Sequence, residues 1–221
     1  MKRMIWSLAA GVLAAVILAG SVRAEMEITS EDVGLRIQYA NLRFNDRNWG
    51  WDPMYFGYYD LAMDPWVFSG MLGWGSGWDI HAARWDGQVS AGYRLGPLFL
   101  GGGYHLIHMK SDNYLDETWS YHGPELLAGG GYTFGDTDVS VYGSASLLPY
   151  VFTSYKNDAV SKETGNTWGY TLDGGVSYAF LEFWRVSAGY RYLQLQDTDL
   201  GDLRFYADRF HGPYIEGCFI W

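Results

Sequence analysis

Residues 184–196 read WRVSAGYRYLQLQ. Val186, Ala188, Tyr190 and Tyr192 alternate there with Arg185, Ser187, Gly189 and Arg191. That spacing of two is the period of a strand, whose successive side chains point to opposite faces. The rhythm recurs along the chain. Val89, Ala91, Tyr93 and Leu95 alternate with Gln88, Ser90, Gly92 and Arg94, and Val139, Val141, Gly143, Ala145 and Leu147 with Ser140, Tyr142, Ser144 and Ser146. Tyr170, Leu172, Gly174, Val176, Tyr178 and Phe180 do the same against Gly169, Thr171, Asp173, Gly175 and Ser177. One face is apolar and aromatic, the other small or polar, and no helical stripe competes.

The turns alternate between short and long. Short ones fall at Asp64-Pro65, Gly96-Pro97, Gly135 to Asp138 and Leu181 to Phe183; longer polar connections cover 45–53, 79–87, 111–121, 156–167 and 197–211. This describes an up-and-down meander, tight at one end and long-looped at the other. It predicts ten strands, at 33–44, 54–63, 66–78, 88–95, 98–110, 124–134, 139–155, 168–180, 184–196 and 213–221. An eight-stranded alternative places Met54 to Met63 and a neighbouring strand in one long first loop. Near Asn41 the first strand slips phase, so that Leu42 and Phe44 fall on the wrong face; a bulge there would repair it.

Residues 1–24 combine Lys2 and Arg3, an apolar run from Ile5 to Ala19, and Val22-Arg23-Ala24. This predicts a secretory signal peptide removed after Ala24, leaving one domain over 25–221. Its removal leaves 12 basic against 25 acidic residues, a net charge of −13, which disfavours a nucleic-acid partner. Cys218 is the lone cysteine, so no disulfide framework is expected. Charged residues make up only 18% of the chain, below the roughly 25% of an ordinary soluble domain. No later stretch supplies the ~20 apolar residues of a spanning helix.

A sheet that spans lipid must close, with apolar residues outward. The strand phase satisfies this, placing Arg36, Arg94, Glu125, Asp173, Arg191 and Glu216 inward as a lumen charge cluster of mixed sign. Trp66, Tyr93, Phe134, Phe180 and Trp184 gather on the short-turn side, where an interfacial girdle belongs. A soluble sandwich or lipocalin-like barrel would reverse the faces. Its water-facing side would then be mostly Gly and Ser with few Lys or Glu, which suits a narrow lumen better.

Ile215, Gly217, Phe219 and Trp221 alternate up to a terminal aromatic residue. This resembles the C-terminal signal of bacterial outer-membrane barrels read by their assembly machinery. With the leader and the turn pattern, the chain resembles the small OmpA, OmpX and OmpW-type barrels over most of 33–221. The resemblance is architectural. It implies a bacterial outer-membrane location, short turns in the periplasm and long loops outside, and as partners the outer-membrane lipid with its lipopolysaccharide, and the assembly machinery through Trp221.

Ten-stranded barrels include the omptin proteases, which use an Asp pair and an Asp-His pair at the outer rim. Asp79 and His81 share one long loop here, and Asp197, Asp199, Asp202, Asp208 and His211 crowd another; acidic loops are more often simply solvated. His105 and His108 fall on opposite faces of one strand, which suits no shared site. No His/Cys cluster has metal-ligand spacing, and Gly73 to Gly77 lacks the Lys-Ser/Thr and helix of a phosphate loop. No catalytic, cofactor or metal residue is therefore assigned. The expectation is a non-enzymatic barrel with a structural or surface-interaction role and a largely filled lumen. The alternatives are a narrow porin-like pore or conduit, and a rim hydrolase.

Overall fold

The computed structural model describes residues 30–44, 47–77, 81–111, 116–158, 163–200, 203–205 and 208–220. Residues 1–24, expected above to be a signal peptide, and Asp79, Asp202 and Trp221 lie outside them.

Ten strands form one closed antiparallel barrel: β1 (Ser30–Phe44), β2 (Arg47–Met63), β3 (Trp66–Gly77), β4 (Ala82–Leu95), β5 (Leu98–Ser111), β6 (Glu117–Thr133), β7 (Val139–Lys156), β8 (Glu163–Leu181), β9 (Trp184–Leu195) and β12 (Asp208–Ile220). A small hairpin, β10 (Thr198–Leu200) with β11 (Leu203–Phe205), interrupts the last connection. Each barrel strand pairs with its neighbour in chain order, and β1 with β12 closes the ring, from Asp32 opposite Ile220 to Arg43 opposite Arg209. The eight-stranded alternative falls, because β2 is paired with β1 from Arg47 to Ala62 and with β3 from Met54 to Met63.

The strands run further toward the long-loop end than the alternation predicts. Most of 45–53, 79–87 and 111–121, half of 156–167, and the end of 197–211 are strand rather than loop. The reason is physical. About 9–11 residues cross the bilayer, whereas β7 has 18 and β8 has 19. Past the lipid the outward side chains no longer need to be apolar, so the pattern fades while the hydrogen-bonded ladder continues.

The expected outward face is observed. Leu35 is 72% exposed, Ile215 70% and Val176 49%. Trp66, Tyr93, Phe134, Phe180 and Trp184 are exposed around the tight-turn end. A second exposed aromatic level, with Tyr39, Trp51, Trp74, Tyr104, Phe152, Trp168 and Tyr190, lies toward the loops. Two such belts bracket the apolar band of a spanning barrel. Inside, rings lie across glycines of the adjacent strand. A side-chain carbon at Gly34 would collide with the Tyr58 ring, and one at Gly73 with Phe56, so glycine on the inner face makes room for bulk.

The bulge expected near Asn41 exists on the β2 side, where the register shifts between Asn41 and Arg43. It does not turn Leu42 outward. Leu42 is 1% exposed and packed in the interior, because the interior at that level is itself apolar. In β7 a shift between Leu148 and Val151 does change phase: Leu148 is buried before it, Val151, Thr153 and Tyr155 after it, with Tyr150 and Phe152 exposed.

Candidate functional site

The lumen has two unlike halves. Toward the tight turns it is a polar cavity of about 520 Å³, walled by serines and threonines and by acids and arginines in equal number. Arg94 and Thr133, both exposed, lie at its mouth. Toward the loops it is filled. Leu42, Phe56, Ile107, Met109, Trp119, Leu193, Leu195 and Phe210 belong to one buried core spanning the interior.

Within the polar half the predicted charges separate into groups. Arg36 donates through Nε to Glu216 at 2.8 Å and through Nη1 to Asp173 at 2.7 Å. Tyr214 donates to the other Asp173 oxygen at 2.5 Å, its ring lies 3.9 Å from the Arg36 guanidinium, and its hydroxyl meets that of Tyr142 at 2.7 Å. Nearer the mouth Arg185 pairs with Asp32 at 2.7 Å, and Ser69 donates to Asp60. Deeper in, Gln88 donates to Glu125 at 2.8 Å, and its amide oxygen lies 3.5 Å from Arg191. Arg94 belongs to none of these groups: it stands exposed at the mouth, at the end of β4.

The filled half contains charge that the alternation did not reveal. Asp86, with no exposure, accepts from Arg84 at 2.9 Å and lies 2.6 Å from His105 Nε2. Arg84 stacks 3.8 Å from the Phe210 ring, and Tyr121 donates to Asp208 at 2.5 Å. A signal for Arg84 and Asp86 was present: stepping back by twos from Ser90 and Gln88 reaches both. The polar run 79–87 hid it.

Among the described residues, the rim candidates do not assemble. Asp208 points inward to Tyr121, whereas His211, three residues on, packs outward against Trp51 and lies 2.6 Å from the Tyr190 hydroxyl. Asp197 and His81 are exposed. Asp79 and Asp202, and the side chain of Asp199, are outside the described residues. His105 faces in to Asp86, and His108 sits beside the Ser120 hydroxyl on the other face.

A closed ten-stranded barrel with an apolar exterior is the architecture of outer-membrane proteins, and the model of the family described as outer membrane protein beta-barrel domain matches residues 10–210. The chain belongs to that family. Like its members, this outer-membrane β-barrel lies in the bacterial outer membrane. No curated protein matches it in sequence. Among solved structures it is similar to the Escherichia coli outer membrane protease OmpT, at 10% identity over 88% of this chain and 97% of that one, with a TM-score of 0.55. It is also similar to neisserial surface protein A, at 16% identity over 86% and 96% with a TM-score of 0.47. Ail of Yersinia pestis, solved with the heparin analogue sucrose octasulfate, gives 11% over 89% and 100% with 0.43. At these identities the likeness is one of fold.

Proposed function

We propose that this outer-membrane β-barrel is a closed, non-enzymatic protein whose working surface is its loop-bearing end. The observation that carries this reading is the filled outer half of the lumen. Leu42, Met109, Leu193 and Phe210 are each at most 2% exposed. Fully burying one such side chain is worth ~1.5–3 kcal/mol, so wetting all four would cost roughly 6–12 kcal/mol. A continuous water path is correspondingly rare. The strands supply the rest of the argument. By projecting past the lipid they carry Lys110, Lys156, Asn166 and Arg209 outward on a hydrogen-bonded rim, a rigid base for contacts made by the loops.

Two partners follow from the same reading. The outer aromatic level suits the headgroups of a lipopolysaccharide leaflet, and the last strand, with Trp221 following it, is the segment the assembly machinery would read. The test of closure is electrical. Refolded protein added to planar bilayers is expected to give no steps of conductance. Sustained ionic current, altered in selectivity when Glu216 or Arg191 is neutralised, would establish the pore reading instead.

A further inference from the structure

Arg191 is 2% exposed, and an arginine stays charged in any protein environment. Such a buried cation is normally matched by a carboxylate. Here its contacts are the Met71 sulfur at 3.3 Å, the Gln88 amide oxygen at 3.5 Å and the Phe56 ring at 5.7 Å, while its Nε has no hydrogen-bond partner among the described residues. Among the described residues its side-chain hydrogen bonds go to Met71 and Gln88, and none goes directly to a nearby acid. Asp173 is its register partner across β8 and β9, yet gives its oxygens to Arg36 and Tyr214. Asp86 hydrogen-bonds Arg84 and His105 and meets Arg191 only through space. Glu125 reaches toward Arg191 only through the Gln88 amide between them.

Two further donors stand on the same wall. Ser146 and Thr171 face each other across β7 and β8, are each 7% exposed, line the cavity and have hydroxyls without a partner among the described residues. Thr171 is opposite Leu193, two residues from Arg191, and such diagonal neighbours on one sheet face are about 7–8 Å apart. Arg191 Nε and these two hydroxyls, unpartnered donors on the adjacent strands β7, β8 and β9, thus line the blind end of one cavity that opens toward the tight turns.

We propose that this blind end binds a small monocarboxylate entering from the periplasmic side, with Arg191 as its counter-ion and Ser146 and Thr171 donating to its oxygens. A planar carboxylate matches the guanidinium fork. A multiply charged anion is disfavoured, because Glu125 lies one amide away and Asp173 and Glu216 line the approach. The site needs only the inner cavity, so it stands or falls independently of conductance.

The probe is carbon-13-labelled acetate, titrated by NMR against the full refolded chain in micelles, with the unheated gel mobility checked for every variant. Saturable binding is expected, weakened at least about tenfold in Arg191→Gln, weakened also in the Ser146→Ala, Thr171→Val pair, and unchanged in Arg209→Gln at the rim. If Arg191→Gln does not refold, the hydroxyl pair carries the test alone. Absence of saturable binding to folded protein, or binding indifferent to these changes, overturns the proposal. Inorganic phosphate binding as tightly as acetate overturns the choice of a monocarboxylate.

Discussion

Arg36 in the first barrel strand and Glu216 in the last are Cα partners across the seam that closes the ring, and their side chains meet at 2.8 Å inside it. Closure by backbone hydrogen bonds is therefore accompanied by a charge pair that only the correct register forms. With Asp173 bound on the same guanidinium, Arg36 neutralises two acids that are largely withdrawn from water.

Arg36→Met is expected to destabilise the barrel by about 3–5 kcal/mol, because it leaves Asp173 and Glu216 buried without their counter-charge. The urea midpoint of refolded protein in micelles, followed by tryptophan fluorescence, reads this. The triple change Arg36→Met, Asp173→Asn, Glu216→Gln is expected to recover most of the loss, since no unpaired charge remains.

Leu35 projects into hydrocarbon. Leu35→Arg is expected to cost about 2–4 kcal/mol of unfolding free energy when measured in lipid bilayers. Ser144→Arg, on the cavity wall, is expected to cost markedly less. Equal costs would mean that the two faces see the same medium.

Asp86 holds both Arg84 and His105 in the filled half. Asp86→Ala strands a buried guanidinium, with an expected loss of about 3–5 kcal/mol, read as a lower temperature for losing the compact unheated band on gels. A neutral result would show that water reaches this level and solvates Arg84.

Gly73 admits the Phe56 ring. Gly73→Ala is expected to drive that ring off its position and destabilise by about 1–3 kcal/mol, the usual cost of overpacking. Gly57, with open space where a side chain would go, is expected to tolerate alanine within about 0.5 kcal/mol. Denaturant midpoints of the two variants compare them directly.

The membrane-level fold is legible because lipid imposes a rule on every second residue. Val186, Ala188, Tyr190 and their counterparts satisfy it, so strand number, closure and facing follow from alternation and turn spacing. Above the lipid that rule lapses. Arg84, Asp86, Tyr121 and Asp208 fall in polar runs of the sequence, although each sits on a strand and faces in. Leu42 was legible only as an anomaly, because an apolar interior reverses the expectation that a lumen-facing residue is polar. Pairing was out of reach for a different reason. The inward positions of Arg36, Asp173 and Glu216 follow from phase, but which of them touch depends on the register between β1, β8 and β12, which alternation leaves undetermined.

The most direct test of a barrel with lipid outside, an open inner cavity and a filled outer half is thiol reactivity in liposomes. In a Cys218→Ser background, single cysteines replace Ser144, Leu193 and Val176 and are exposed to a small water-soluble methanethiosulfonate. The account predicts rapid labelling at position 144 and protection at 193 and 176. Labelling at 193 as fast as at 144 would show a water path through the outer half, and fast labelling at 176 would show that the apolar face is not in lipid.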